Sequence, residues 1–260
     1  MDEAALREQV FAAALPLLEG HKVTDLVVGL SLTAVEVDGE KLAVSYVLRE
    51  GLQGGCSIFP YASKAVGMSA VDVGRWFVTG TDDLQRALGA TVLTAVSQYE
   101  DLKDSGGRNQ PFGLSISPSD TVGMVGNIRP VIRQLKPIGC KMIVFDKGKC
   151  ANGNPVENIS PMEDQPRLLP QCDIVFLSGT TMINGTAADL FPLCSKAREV
   201  VLLGSSVPMV AKGYSGTPVS VLAGSWWREE DKEILFRNIS LAAGMQTLGK
   251  YMIKKSVRIR

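Results

Sequence analysis

Apolar residues recur at helical spacing over residues 4–18, where Leu6, Val10, Phe11, Ala14 and Leu18 share one face and Gly20 closes the segment. Two alternating runs follow, Leu26, Val28, Leu30, Leu32 and then Leu42, Val44, Tyr46, Leu48, with Asp38-Gly39 between them. Alternation on either side of an Asp-Gly pair predicts a β-hairpin. Beyond the glycine-rich residues 51–55, a weaker strand is predicted over 56–59, a short helix over 69–77 and a longer one over 82–99. Thr81 is the expected cap of the longer helix, with Leu84, Leu88, Val92, Ala95 and Tyr99 at helical spacing. Strands followed by helices predict an α+β domain over residues 1–108, ending in the polar, breaker-rich stretch 101–111.

The second half, residues 109–260, is organised around residues 120–146. Asp120 to Gly126 reads as a short buried strand ending in glycine, and residues 127–135 as a helix with Pro130 tolerated in its first turn. Residues 141–146 read as a second strand ending in a carboxylate, with Asp146 twenty residues past Gly126. Strand, glycine turn, helix, strand and acid make the opening of a Rossmann-type unit. The rest alternates: a long loop over 148–170 around a short helix, strands over 173–177, 199–203 and 219–222, and helices over 186–194 and 229–251. The expected fold is therefore α/β, an α+β domain followed by a Rossmann-like parallel sheet with covering helices.

The dinucleotide fingerprint is broken. Counting from Gly126, its second and third glycines fall on Ile128 and Val131, whose side chains oppose close pyrophosphate approach and tight helix packing. This disfavours an NAD-dependent oxidoreductase. Asp146 either holds ligand hydroxyls or caps a turn.

Composition narrows the partners. Twenty-seven basic residues balance twenty-seven acidic ones, which argues against a nucleic-acid or anionic-membrane surface. The acidic start lacks a signal-peptide pattern, and no apolar run approaches the length of a bilayer span, so a cytoplasmic protein is expected. A small-molecule ligand is the expected partner, and homo-oligomerisation is left open. The five scattered cysteines form no C-x-x-C pair and read as reduced thiols, Cys56 being the one expected to be reactive. His21 is the sole histidine, which removes most zinc-site arrangements, and no metal ligands are assigned.

Ligands of open parallel sheets sit beyond the carboxyl ends of the strands. Three polar or glycine-rich turns leave strands there: Gly126-Asn127-Ile128-Arg129, the segment Ser178 to Thr186, and Gly204-Ser205-Ser206-Val207-Pro208. Ser178, Gly179, Thr180, Thr181, Ser205 and Ser206, with the Asn184 amide, form a candidate hydrogen-bonding rim; Gly126, Asn127 and Arg129 are placed to receive an anionic end. Thr186, with Asp189 three residues on, reads as a helix cap. Asp146, Thr181 and Asn184 are expected to line one pocket, roofed by residues 54–64, with Tyr61 and Lys64 as roof candidates.

The segments Ser178 to Thr186, Val200 to Met209 and Val219 to Gly224, with Arg86 to Ala95 in the first half, resemble an uncharacterised family named for heavy-metal chelation. Its members join an enolase N-terminal-like domain to a Rossmann-like domain. The family's signature carries Asn where this chain has Thr94, and a proline is usual at Ser205. The resemblance covers nearly the whole chain. It implies a ligand site in the cleft between the domains, partial similarity to Rossmann-like methyltransferases, and a role near metal-chelate or cofactor metabolism. The leading expectation is a small-molecule enzyme binding a nucleoside-, pterin- or adenosylmethionine-like ligand; the alternative is a non-enzymatic metal-chelate binding protein.

Overall fold

The computed structural model describes residues 1–52, 54–106, 111–147 and 159–259. The expected domain limit at residue 108, and residues 148–158 of the loop expected over 148–170, lie outside the described residues.

The chain opens with α1 (Glu3–Leu18), capped by the Asp2 carboxylate, which accepts the Ala5 N–H at 2.8 Å. Three antiparallel strands follow, β1 (Val23–Val28), β2 (Leu32–Val37) and β3 (Lys41–Tyr46). A three-residue connection, Asp38 to Glu40, joins β2 to β3; Asp38 and Gly39 both have positive φ (54° and 75°), and the Glu40 N–H closes the turn on the Val37 carbonyl at 3.1 Å. The expected alternation from Leu26 to Leu32 instead spans the end of β1, the turn before β2 and the first residue of β2. Residues 56–59 form no strand. Two helices, α2 (Ala70–Thr79) and α3 (Asp83–Val96), complete this half, and Asp82 rather than Thr81 caps α3 through the Gln85 N–H.

In the second half β4 (Thr121–Val125), α4 (Arg129–Leu135), β5 (Lys141–Phe145), β6 (Ile159–Ser160) and α5 (Gln165–Leu168) lead to β7 (Ile174–Ser178). Then come α6 (Thr180–Asn184), α7 (Ala187–Leu193), β8 (Glu199–Leu203) and β9 (Val221–Trp227). The single helix expected over 229–251 is broken into α8 (Lys232–Ser240) and α9 (Met245–Leu248), with Ala242 at φ 62° between them. The chain then returns as β10 (Met252–Arg258), antiparallel to β9.

Among the described residues the strands form one ten-stranded sheet. Strands β6-β5-β4-β7-β8-β9 are mutually parallel, and numbered within this half their order is the 3-2-1-4-5-6 of doubly wound folds. The sheet passes into the first half through the pairing of Leu42 with Trp227. Apolar clusters cover both faces. One holds α1, α2 and α3 against both halves, a second packs α4 on the parallel strands, and a third seats α8 on β2 and β3.

Helix α3 is buried almost all round rather than along one stripe. A Cβ on Gly89 would come within 2.1 Å of the Phe77 nitrogen, so glycine permits the close α2–α3 approach. The halves are pinned beside it. The Thr94 hydroxyl reaches the Val207 carbonyl at 2.9 Å, and the Ser206 hydroxyl accepts the Ser45 hydroxyl at 2.8 Å and the Tyr46 N–H at 3.0 Å.

Candidate functional site

Because β4, β5, β7, β8 and β9 run the same way, their carboxyl ends open on one edge of the sheet. A cleft of about 2150 Å³ lies along that edge. It brings together Gly126, Asn127, Arg129, Asp146, Ser178, Gly179, Thr180, Thr181, Asn184, Ser205 and Ser206. From the first half it takes residues 46–51, Asp83, Asp104 and Gly106. Tyr61 and Lys64 stand elsewhere: Tyr61 stacks on Trp76 at 4.6 Å between ring centroids, and the Lys64 ammonium sits 5.2 Å from the Tyr61 ring. Aromatic stacking in the first-half core holds that loop, so the end of β3 flanks the cleft in its place.

Two turns meet at the switch point of the strand order. Gly126 has φ 102°, and a Cβ there would meet the Ser178 Cβ at 3.0 Å, so a side chain would strain the backbone and crowd the turn after β7. The Asp146 carboxylate accepts the Asn127 N–H at 2.5 Å, tying the end of β5 to the turn after β4. The Asn127 Oδ1 is buried without a hydrogen-bond partner among the described residues. Ile128 and Val131 pack into the apolar cluster beneath α4. The side chains that break the dinucleotide fingerprint thus anchor the helix.

The second turn is short-range structure. Ser178 and Thr180 share a hydroxyl–hydroxyl hydrogen bond of 2.8 Å, and the buried Thr181 hydroxyl donates to the Ser178 carbonyl at 2.8 Å. Asn184 is exposed, and its Oδ1 accepts the Thr186 hydroxyl at 2.9 Å. The expected Thr186–Asp189 capping box does not form. Thr186 sits at the start of α7 with helical backbone, and Glu3 reaches across from α1 to accept the Ala188 N–H at 3.0 Å.

Arginines fasten α6 from behind. Arg7 donates to the Met182 carbonyl at 3.0 Å and to the Ile183 carbonyl at 3.1 Å, and Arg86 also donates to Ile183 at 2.9 Å. Cations at the carbonyl end of a helix complement its unpaired acceptors. Burial pushes the Glu3 carboxyl up and the Arg7 guanidinium down from their usual ranges.

Other polar groups of the cleft escaped sequence reasoning. Ser225 follows the expected strand end at Leu222, and Lys254 and Lys255 lie on a strand where the pattern gave no signal beyond the weak alternation of Ile253, Lys255 and Val257. The buried hydroxyls of Ser205 and Ser225 have no partner among the described residues.

Models of two families, each described as "Putative heavy-metal chelation", match residues 11–97 and 110–258. The chain belongs to this heavy-metal chelation family. An uncharacterized protein of Methanocaldococcus jannaschii is 26% identical over 157 residues, spanning 60% of each chain. Similar folds occur in two crystallised proteins of unknown function. The one from Pyrococcus horikoshii has TM-score 0.77 at 22% identity, covering 97% of this chain and 99% of that one. The one from Desulfitobacterium hafniense has TM-score 0.74 at 17% identity, covering 97% and 98%. At those identities the likeness carries the fold.

The family description raises the question of a metal held by the protein itself. Among the described residues no three His, Cys, Asp or Glu side chains gather as a metal-binding group. Cys140, Cys172 and Cys194 are buried, and burial pushes the Cys172 and Cys194 thiols up to about 11 and about 12. Soft metal ions need clustered thiolates or imidazoles, and hydroxyls, amides and separate carboxylates do not fit them. No helix among the described residues is long and apolar enough to cross a membrane.

Proposed function

We propose that the cleft binds a small organic molecule between an N-terminal α+β domain and a Rossmann-like domain, and that this molecule is the substrate of an enzyme. The observation that carries the reading is the buried Asn127 Oδ1, an acceptor without a partner among the described residues, at the switch point of the sheet. A buried acceptor without a partner costs about 1–3 kcal/mol, a cost removed when a ligand N–H or O–H meets it. Nucleosides, pterins and adenosylmethionine all offer such donors on a heterocycle edge. Asp146 presents its carboxylate beside Asn127 for ligand hydroxyls, Arg129 stands at the mouth for an anionic end, and Ser178, Thr180, Thr181 and Asn184 form the opposite wall.

A second reading is favoured by the family description together with the absence of clustered metal ligands among the described residues. In it the metal arrives already chelated, and the cleft recognises the organic chelator without converting it.

A thermal-shift screen of nucleosides, pterins, adenosylmethionine and metal chelates tests both. A ligand at a hundred times its Kd stabilises by about 2.7 kcal/mol, a visible shift. Asn127→Ala is expected to weaken the hit by about 1–3 kcal/mol. Turnover of the hit favours the enzyme, and stoichiometric binding without conversion favours the carrier. If nothing binds, or Asn127→Ala and Asp146→Asn bind as tightly as the parent, both readings fail.

A further inference from the structure

The cleft has a second pole. Leu203 of β8 pairs with Ala223 of β9, and two residues beyond that pair stand Ser205, in the turn after β8, and Ser225, within β9. Ser205 is 4% exposed and Ser225 1% exposed, both line the cleft, and neither hydroxyl oxygen has a hydrogen-bond partner among the described residues. Ser225 pairs across the ladder with Lys254 of β10, so the two side chains leave the sheet on the same face. Lys254 lines the cleft, is exposed, and forms no ion pair among the described residues. Asp104, which also lines the cleft, is engaged by the backbone: its Oδ1 accepts the Gly106 N–H at 2.9 Å and the Ser256 N–H at 3.2 Å.

We infer that Ser205, Ser225 and Lys254 form a separate subsite for a carboxylate group. Two hydroxyls can each donate one hydrogen bond and the ammonium up to three, which matches the acceptor-only chemistry of a carboxylate. Buried hydroxyls left unpaired cost stability in the empty protein, and a cleft that keeps two of them at one end holds them for a ligand. Strand β4 lies three strand spacings from β9, about 14 Å, so this subsite is distinct from the pole at Asn127 and Asp146. The inference rests on the cleft being a small-molecule site and adds its ligand class: either a long molecule with a carboxylate at one end, or two molecules held together, one of them a carboxylic acid. A polycarboxylate chelator has such arms to spare.

Citrate is the probe, with binding read by calorimetry and folding by thermal melting of the unliganded chain. Ser205→Ala, Ser225→Ala and Lys254→Met should each weaken citrate by about tenfold or more. The two serine variants should melt at the parent temperature or above it, because each deletes an unsatisfied buried hydroxyl. Lys196→Met, exposed and outside the cleft, should leave citrate affinity within about twofold, and Asn127→Ala and Arg129→Met, at the other pole, should weaken citrate less than the serine and Lys254 variants do. Failure of citrate to bind, or equal citrate affinity in the serine and Lys254 variants, overturns the subsite. Loss of citrate binding only in the Asn127 or Arg129 variants also overturns it, while leaving the small-molecule reading of the first pole standing.

Discussion

The Thr94 hydroxyl and the Val207 carbonyl meet at 2.9 Å across 113 residues of sequence, in a buried contact between the helix α3 and the turn that follows β8. The same hydroxyl lies 2.9 Å from the Ala90 carbonyl one helical turn back, so its proton is shared. The turn it steadies carries Ser205 and Ser206, the first a wall of the cleft and the second a pin to β3. Thr94 thus sets where the first half sits relative to the carboxyl edge of the sheet.

Replacing Thr94 by Val keeps the shape and removes the donor. Val207 would then keep a buried carbonyl without this partner, at a cost of about 1–3 kcal/mol. For a chain of this size that lowers Tm by about 2–4 °C for each kcal/mol. Melting that is unchanged in Thr94→Val would show that the halves are held by packing alone.

Arg7 makes a sharper case, because it neutralises a buried acid while holding two carbonyls. Its Nε lies 3.3 Å from Glu3, and the two side chains are 11% and 18% exposed. Arg7→Met strands the Glu3 carboxylate, at a cost of about 3 kcal/mol near neutral pH. The sign with pH follows from burial, which already raises the Glu3 pKa above 4.5. A raised folded pKa gives stability that is fully present below the unfolded pKa and is lost as pH rises through the folded one. Without Arg7 the folded value climbs further, so the penalty should grow with pH, and towards pH 4 it should fall to the pH-independent cost of the two carbonyls that lose their donor. Denaturant melts of the variant at several pH values measure this, and a pH-independent penalty refutes it.

The acid limb has another source. Arg198 donates to both oxygens of Asp120, at 2.9 and 2.6 Å, and that hydrogen bonding holds the carboxyl below its usual value of 3.8. A lowered folded pKa means stability that is present above 3.8 and is lost as pH falls through the folded value. Asp120→Asn should therefore be less stable than the parent at neutral pH and should lose less on further acidification. Parallel acid titrations followed by circular dichroism would show the two curves converging; curves that stay parallel to the lowest pH would count against the pair.

How much of this was legible depended on which faces each element exposes. The parallel strands around Gly126 and Asp146 announced themselves as unbroken apolar runs ending in polar turns, and the carboxyl-edge rule then gathered Asn127, Thr180 and Ser205 onto one side without knowledge of strand order. Strand β2 was hidden for the opposite reason. All six of its residues are buried, Thr33 and Glu36 included, because helices cover both faces, so no alternation marked it. Ser225 and Lys254 lie just beyond the expected strand end at Leu222 and the expected helix end at Tyr251, and the antiparallel pairing of β10 with β9 that brings them together leaves no local signal. The cap of α7 could not be read locally at all, since Glu3 supplies it from 185 residues away.

Thiol reactivity offers a last test of what is buried. Cys56 is exposed, whereas Cys140, Cys172 and Cys194 are buried with their thiols pushed above the usual value by desolvation. Only the thiolate attacks an alkylating reagent, so at pH 8 a thiol held at about 11 or about 12 is almost wholly inert. Native iodoacetamide labelling, read peptide by peptide in a mass spectrometer, should mark Cys56 well before these three. Adding denaturant should bring all four to comparable rates. Early labelling of Cys172 or Cys194 in the native chain would mean that the sheet and the helix packed on it open on the labelling timescale. It would equally undercut the argument that these cysteines are structural rather than metal-binding.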